Sequence, residues 1–255
     1  MEPSDAVDSQ PSGAIKFPPH VLKEAKKIPN CPVCYDHLIL PDDDEASLAS
    51  ALMPWHVLQV MAFWKMLMGS NSLKRVLDLS ANVGCDALLL ASMGCDEITS
   101  IEINKARFNC LVYNIAVMDF EKLITPIYSN CIDVINDFPE GTVFDAIYLD
   151  PPWLRDGEKY NPRRVFDDLY LISGIDSDGT KMYVSIFDVM TDIFKKGLTD
   201  TIVLKVPPSV KFPQLSDRAK KGNVPIMGIR GGKFAEYRLI TVHPDDLFFD
   251  IAKSM

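Results

Sequence analysis

Residues 75–102 read Arg75-Val-Leu-Asp-Leu-Ser-Ala-Asn-Val-Gly84, Cys85-Asp-Ala-Leu-Leu-Leu-Ala-Ser-Met-Gly94 and Cys95-Asp-Glu-Ile-Thr-Ser-Ile-Glu102. Arg75–Leu79 is a short apolar run of strand length. Asp86–Met93 has the length and composition of a helix, and Gly94 supplies its stop. Glu97–Glu102 is a second apolar run carrying Ile and Thr, residues that favour strands. Strand, helix and strand in this spacing predict a βαβ unit, whose two strands are parallel.

The alternation continues on both sides. Asn104 is placed to cap a helix reaching about Met118, with Phe108, Leu111, Val112 and Ile115 at helical spacing. Leu123–Tyr128, Phe144–Leu149 and Asp200–Val206 read as further strands. A short helix is expected at 132–136 and a longer one over Tyr183–Phe194. Val224–Ile229 and Phe234–Val242 flank Gly231-Gly232 and predict a closing antiparallel pair. Before the first strand, Ala51–Met68 is apolar but interrupted by His56, Gln59 and Lys65, which suits a buried amphipathic helix and not a membrane span. The whole is an α/β chain with a mostly parallel sheet and helices on both faces.

Composition agrees with a globular domain: 255 residues, 47% hydrophobic and 24% charged. The net charge of −9 argues against gripping long nucleic acid through phosphates. That charge is uneven. Residues 1–150 carry 10 basic and 21 acidic residues, whereas 151–255 carry 16 and 14. Lys205, Lys211, Arg218, Lys220, Lys221, Arg230 and Lys233 form a basic stretch. The N-terminus has neither the basic start nor the apolar core of a secretory signal, so the six cysteines are expected as thiols in an intracellular, cytoplasmic or nuclear protein. Residues 1–19 read as a flexible leader and 20–30 as a short helix. Cys31-Pro-Val-Cys34 has zinc-pair spacing but no matching second pair, and no metal is assigned.

In such sheets ligands bind beyond the carboxyl ends of the strands. Glu102 ends the second strand, where a carboxylate accepts from both ribose hydroxyls. It lies 24 residues after Asp78, near the ~20 typical of a nucleoside-binding unit. The first loop lacks a Gly-x-Gly-x-x-Gly cradle for a pyrophosphate, which favours an adenosine without a diphosphate. The fourth strand ends in Asp150-Pro151-Pro152-Trp153. This turn resembles the motif of methyltransferases that act on exocyclic amino groups of planar bases, and the resemblance implies its chemistry: an amino group on an aromatic ring is a poor nucleophile because its lone pair is delocalised. A side-chain oxygen and a backbone carbonyl that accept its two hydrogens turn that lone pair outward. Proline fixes the acceptors, and the aromatic residue stacks on the base.

These residues resemble a known family. Asp78-Leu-Ser-Ala-Asn-Val-Gly84 is similar to the first motif of S-adenosylmethionine-dependent methyltransferases, with Ala81 at the usual first glycine. Asp150-Pro-Pro-Trp matches the motif of methyltransferases acting on exocyclic amino groups. The messenger-RNA adenine N6-methyltransferases carry it before the cofactor region. Here it follows, as in the trimethylguanosine synthase family, which modifies guanine N2 of a 7-methylguanosine RNA cap. That family usually has Ser where Asp150 stands. Gly174–Tyr183 resembles its segment entering the next helix, and Pro207-Pro208 its segment after the fifth strand.

The resemblance, over about 50–243, implies a Rossmann-like class I fold with a seven-stranded sheet. It implies an extension over 1–45, flexible or partly helical, a methyltransferase domain over 46–243 and a tail over 244–255. It assigns cofactor contacts to Asp78, Ala81, Gly84, Glu102 and Asn130, the last at the adenine amino edge. It assigns catalysis to Asp150, Pro151 and Trp153. Trp153 would stack on the cationic base, with Asp150's negative charge complementing it, and Arg155, Arg163 and Arg164, with Lys159, would hold the cap triphosphate. The expected partner is capped RNA, with the basic stretch 205–233 flanking the RNA exit path, no membrane and a monomeric enzyme. The alternatives are N6-adenine or other base methylation of DNA or RNA, and a non-catalytic cap- or RNA-binding module.

Overall fold

The computed structural model describes residues 10–42, 48, 51–68, 73–153, 168–175, 180–207, 226–229 and 237–243. They fall into two compact units, Met1–Ser129 and Asn130–Met255.

In the first unit the quoted stretch folds as read. Strand β3 (Arg75–Asp78), helix α3 (Cys85–Ser92) and strand β4 (Glu97–Glu102) form the βαβ element. Helix α4 (Lys105–Val117) and strand β5 (Ile124–Tyr128) extend it. The three strands are parallel, with Arg75 opposite Glu97, Asp78 opposite Ser100, and Glu102 opposite Tyr128. Every residue of β4 after Glu97 is buried, as expected of a parallel strand covered on both faces. Gly94, at φ 92°, ends α3, and Asn104 caps α4 by accepting the Arg107 N–H at 3.1 Å.

Ahead of these lie β1 (Ala14–Lys16), α1 (Pro19–Ala25), β2 (Ile39–Pro41) and α2 (Pro54–Met68). The leader reading therefore fails over residues 14–16, which pair antiparallel with Ile39–Pro41. Packing overrides the polar composition here. Phe17 is buried edge-on against Tyr35, and the Tyr35 hydroxyl donates to the Leu52 carbonyl. Asn114, fully buried on α4, secures β2. Its Oδ1 accepts from Ile39 N at 2.8 Å, and its Nδ2 donates to the carbonyls of Ile39 (3.0 Å) and Val83 (2.9 Å).

The second unit holds α5 (Cys131–Asp137), β6 (Ala146–Leu149), β7 (Tyr170–Ile175), β8 (Lys181–Ser185), α6 (Ile186–Lys195), β9 (Ile202–Val206), β10 (Ile226–Ile229) and β11 (Tyr237–Val242). Strands β6 and β9 are parallel, β11 is antiparallel to β9, and β10 is antiparallel to β11, so the expected antiparallel edge is present. The helix expected from Tyr183 begins only at Ile186. Lys181–Ser185 pairs with β7 as a hairpin, and Ser185 turns the chain into α6 by accepting the Phe187 N–H at 3.1 Å. The run Tyr183-Val-Ser-Ile-Phe is apolar enough for either element, and the hairpin partner decides it.

Candidate active site

Of the residues expected to meet the cofactor, Asp78, Ala81, Gly84 and Glu102 lie in the first unit. Asp78 is buried at the end of β3, and its Oδ1 accepts from Ser80 N at 3.1 Å. The chain then tightens: Ala81 N donates to the Ile101 carbonyl at 2.9 Å, and Gly84 N donates to the Ala81 carbonyl at 2.8 Å. The expected glycine at position 81 is not needed, because Ala81 is outside the left-handed region, which Asn82 enters at φ 52°. Asn is among the side chains that best tolerate this region. Its position beside Ala81 is the signal that sequence reasoning missed.

Gly84 is at φ 91° and is the N-cap of α3. A Cβ there would lie 2.6 Å from Leu111 Cδ1 on α4. Its small size thus serves helix packing within the protein, beside the ligand approach expected of it.

Glu102 holds two loops together. One oxygen accepts from Asn82 N at 2.8 Å, the other from Asn104 N at 2.7 Å. A carboxylate offers about four acceptor sites, and these loop amides use two of them. Buried carboxylates at neighbouring strand ends, Asp78 and Glu102, suit a ligand that presents hydroxyl donors and positive charge. S-adenosylmethionine presents both, in its ribose, ammonium and sulfonium. Two further exposed apolar side chains stand beside this end of the sheet: Ile103 (44% exposed) and Tyr128 (51% exposed). The Tyr128 ring lies 5.4 Å from Phe108 and 4.6 Å from Lys105 Nζ.

The second unit carries Asn130 and the Asp150-Pro-Pro-Trp153 turn. Asn130 caps α5 by accepting from Ile132 N at 3.0 Å, and its Nδ2 donates to the Ile172 carbonyl on β7 at 3.0 Å. The adenine-edge expectation overlooked this duty, which its capping propensity signals. Asp150 lies one residue past β6. Pro151 is buried, Pro152 is exposed and Trp153 is partly exposed. The Trp153 indole nitrogen is buried and has no hydrogen-bond partner among the described residues.

Asp150 Oδ2 accepts from Lys205 Nζ at 2.7 Å, with side-chain exposures of 11% and 5%. Burial pushes the Asp150 carboxyl above the usual carboxylate range, and Lys205 opposes that shift. Two expectations are corrected here. Lys205 is not part of an exposed basic stretch, because its ammonium is buried against Asp150. Asp150 does not present an unbalanced negative charge to a cationic base, because Lys205 offsets it.

Arg155, Lys159, Arg163, Arg164 and the basic residues from Lys211 to Lys233 lie outside the described residues. Among the described residues no three His, Cys, Asp or Glu side chains gather as a metal site. Cys31 donates to the Val33 carbonyl, and burial pushes its thiol up. No helix of the described residues is long and apolar enough to cross a membrane.

Comparison with known proteins supplies the family. No curated protein matches. Among solved structures, a SAM-dependent methyltransferase from Agrobacterium tumefaciens superposes with a TM-score of 0.51 at 16% identity, over 76% of this chain and 64% of that one. The N-terminal domain of human METTL16 in complex with SAH gives 0.47 at 15% identity, over 74% and 70%. The putative methyltransferase yhhF from Escherichia coli gives 0.45 at 16% identity, over 72% and 85%. The fold is the Rossmann-like class I methyltransferase fold, a mostly parallel central sheet with helices, and the cofactor is S-adenosylmethionine. The model of the RNA cap guanine-N2 methyltransferases matches residues 73–227, a span running from β3 through the Asp150-Pro-Pro-Trp turn and β9 into β10. With more than half of its length matched, this S-adenosylmethionine-dependent methyltransferase belongs to the RNA cap guanine-N2 methyltransferase family.

Proposed function

We propose that the protein methylates the N2 amino group of a 7-methylguanosine RNA cap. The observation that carries this reading is the family match over a stretch that contains Asp150-Pro-Pro-Trp directly after β6. S-adenosylmethionine supplies the methyl group on a positively charged sulfur. Asp78 serves its ammonium side, Glu102 its ribose and Asn130 its adenine edge, while Ala81 and Gly84 shape the turn between them. Asp150 and the backbone at Pro151 accept the two N2 hydrogens, so that the nitrogen lone pair turns outward. As the nitrogen bonds to the methyl carbon, the carbon–sulfur bond would break to leave a neutral thioether, and the then cationic nitrogen would shed one proton, to Asp150 or to solvent. Trp153 stacks on the base, whose positive charge suits an indole face. Arg155, Arg163 and Arg164 pair with the triphosphate. Residues 46–243 form the methyltransferase domain, 1–45 an extension and 244–255 a tail.

The test is incubation with labelled S-adenosylmethionine and either a 7-methylguanosine cap analogue, its unmethylated counterpart or uncapped oligonucleotides. Nucleoside mass analysis then locates the methyl group. The expected product is N2-methylated 7-methylguanosine. Methyl groups on adenine N6 of uncapped RNA, or cap binding without transfer, would replace this reading with one of its rivals.

A further inference from the structure

Strand register explains why Asp150 meets Lys205. The parallel pairing of β6 with β9 runs Ile147–Ile202, Tyr148–Val203 and Leu149–Leu204. One more step places Asp150 beside Lys205 on the same face of the sheet. A buried ion pair is a poor stabiliser, since apolar residues of similar volume do as well or better. Its worth must therefore be sought in what the ionised carboxylate does.

We propose that Lys205 is a positioning residue for methyl transfer, holding Asp150 in its ionised form and fixing its orientation in a buried site. This rests on Asp150 being the amino-group acceptor proposed above. A protonated carboxyl presents an O–H and so loses part of its capacity to accept two amino hydrogens. It also cannot take up the proton that the methylated nitrogen releases. Burial pushes Asp150 toward that protonated form, and Lys205 is the charge that opposes it. Within the unit, the titratable side chains on the two strands are Tyr148 on β6 and Lys205 on β9. Strand alternation puts Tyr148 on the same face as Asp150. Because the pair is neutral as a whole, preference for a cationic base falls to Trp153.

The experiment uses the full chain with carbon-13-labelled aspartate carboxyls, the Asp150 signal being assigned with Asp150→Asn. In wild type that carboxyl is ionised at pH 7. In Lys205→Met it is protonated or titrates at higher pH, kcat on the cap analogue falls about tenfold or more, and S-adenosylmethionine affinity is unchanged. Raising the pH recovers part of the lost kcat, and Lys205→Arg recovers most of it. An Asp150 carboxyl that stays ionised in Lys205→Met, or an unchanged kcat, overturns the inference. Should Lys205→Met not fold, Asp150→Ser with Lys205→Met replaces it. This double variant has a neutral acceptor and no buried charge, and it should exceed Asp150→Ser alone in transfer; equal or lower transfer overturns the inference. A carboxyl signal that shifts as expected in a wild type lacking cap methylation would support charge control by Lys205 while sinking the cap reading.

Discussion

Glu102→Gln tests the proposed ribose contact with little change of shape. Wild-type Glu102 accepts two backbone amides, Asn82 N at 2.8 Å and Asn104 N at 2.7 Å, one on each oxygen. Glutamine keeps one acceptor oxygen, but its amide nitrogen must face the other N–H. One charge-assisted bond is therefore lost, a donor meets a donor, and the remaining bond becomes a neutral one. Each bond to a charged group contributes about 1.5–3 kcal/mol, so the variant should lose roughly 2–4 kcal/mol of unfolding free energy. Ribose hydroxyls lose their charged acceptor as well. A loss of about 1.4–2.8 kcal/mol there corresponds to a Kd raised ten- to a hundredfold. Calorimetric titration with S-adenosylmethionine and urea denaturation of the same samples measure the two effects. Lower stability with unchanged affinity would leave Glu102 as a loop clamp and refute its ribose role. Unchanged values in both assays would refute the geometry itself.

Gly84→Ala and Gly94→Ala form a matched pair, at φ 91° and 92°. Both should lose about 1–2 kcal/mol to backbone strain, and Gly84→Ala should lose more in thermal melts because only its Cβ meets Leu111. Asn114→Ala removes three buried bonds and should destabilise by roughly 2–4 kcal/mol, with hydrogen exchange accelerated at Ile39. Trp153→Ala should weaken cap-analogue binding by about 1 kcal/mol or more in fluorescence titration, leaving S-adenosylmethionine affinity unchanged. Asp150 has a folded-state pKa raised above its unfolded value, so its contribution to stability is present below about pH 4 and is lost as pH rises through the folded pKa. Urea midpoints between pH 4 and 8 should fall with pH in wild type relative to Asp150→Ser with Lys205→Met; parallel curves would contradict this.

The βαβ core was legible because its signals are local: an apolar run, a helical span, a glycine stop and an acidic residue at each strand end. Asp78, Glu102 and the Asp150-Pro-Pro-Trp turn stand where that reading placed them. Other features depend on partners distant in sequence. Lys205 meets Asp150, 55 residues earlier, only when β9 registers against β6. Nothing in Ile202–Val206 itself separates a buried lysine from one at the surface. Asn114 sits mid-helix, where Asn usually faces solvent, yet it bonds residues 75 and 31 positions earlier. The β7–β8 hairpin was missed because Lys181–Ser185 runs without a break into α6, so one apolar stretch covers two elements.

The buried amide of Asn114 also bears on where this protein can be shortened. A chain begun after Pro41, just short of the expected domain start at residue 46, would lose both Ile39 bonds and leave only the Val83 carbonyl. Val83 belongs to the turn between Asn82, which Glu102 holds, and Gly84, which starts α3. Trimming that looks harmless in sequence would therefore leave unsatisfied polar atoms against the Asn82–Gly84 turn. Expression boundaries for this protein should lie upstream of β1, so that the first two strands travel with the sheet they help to hold.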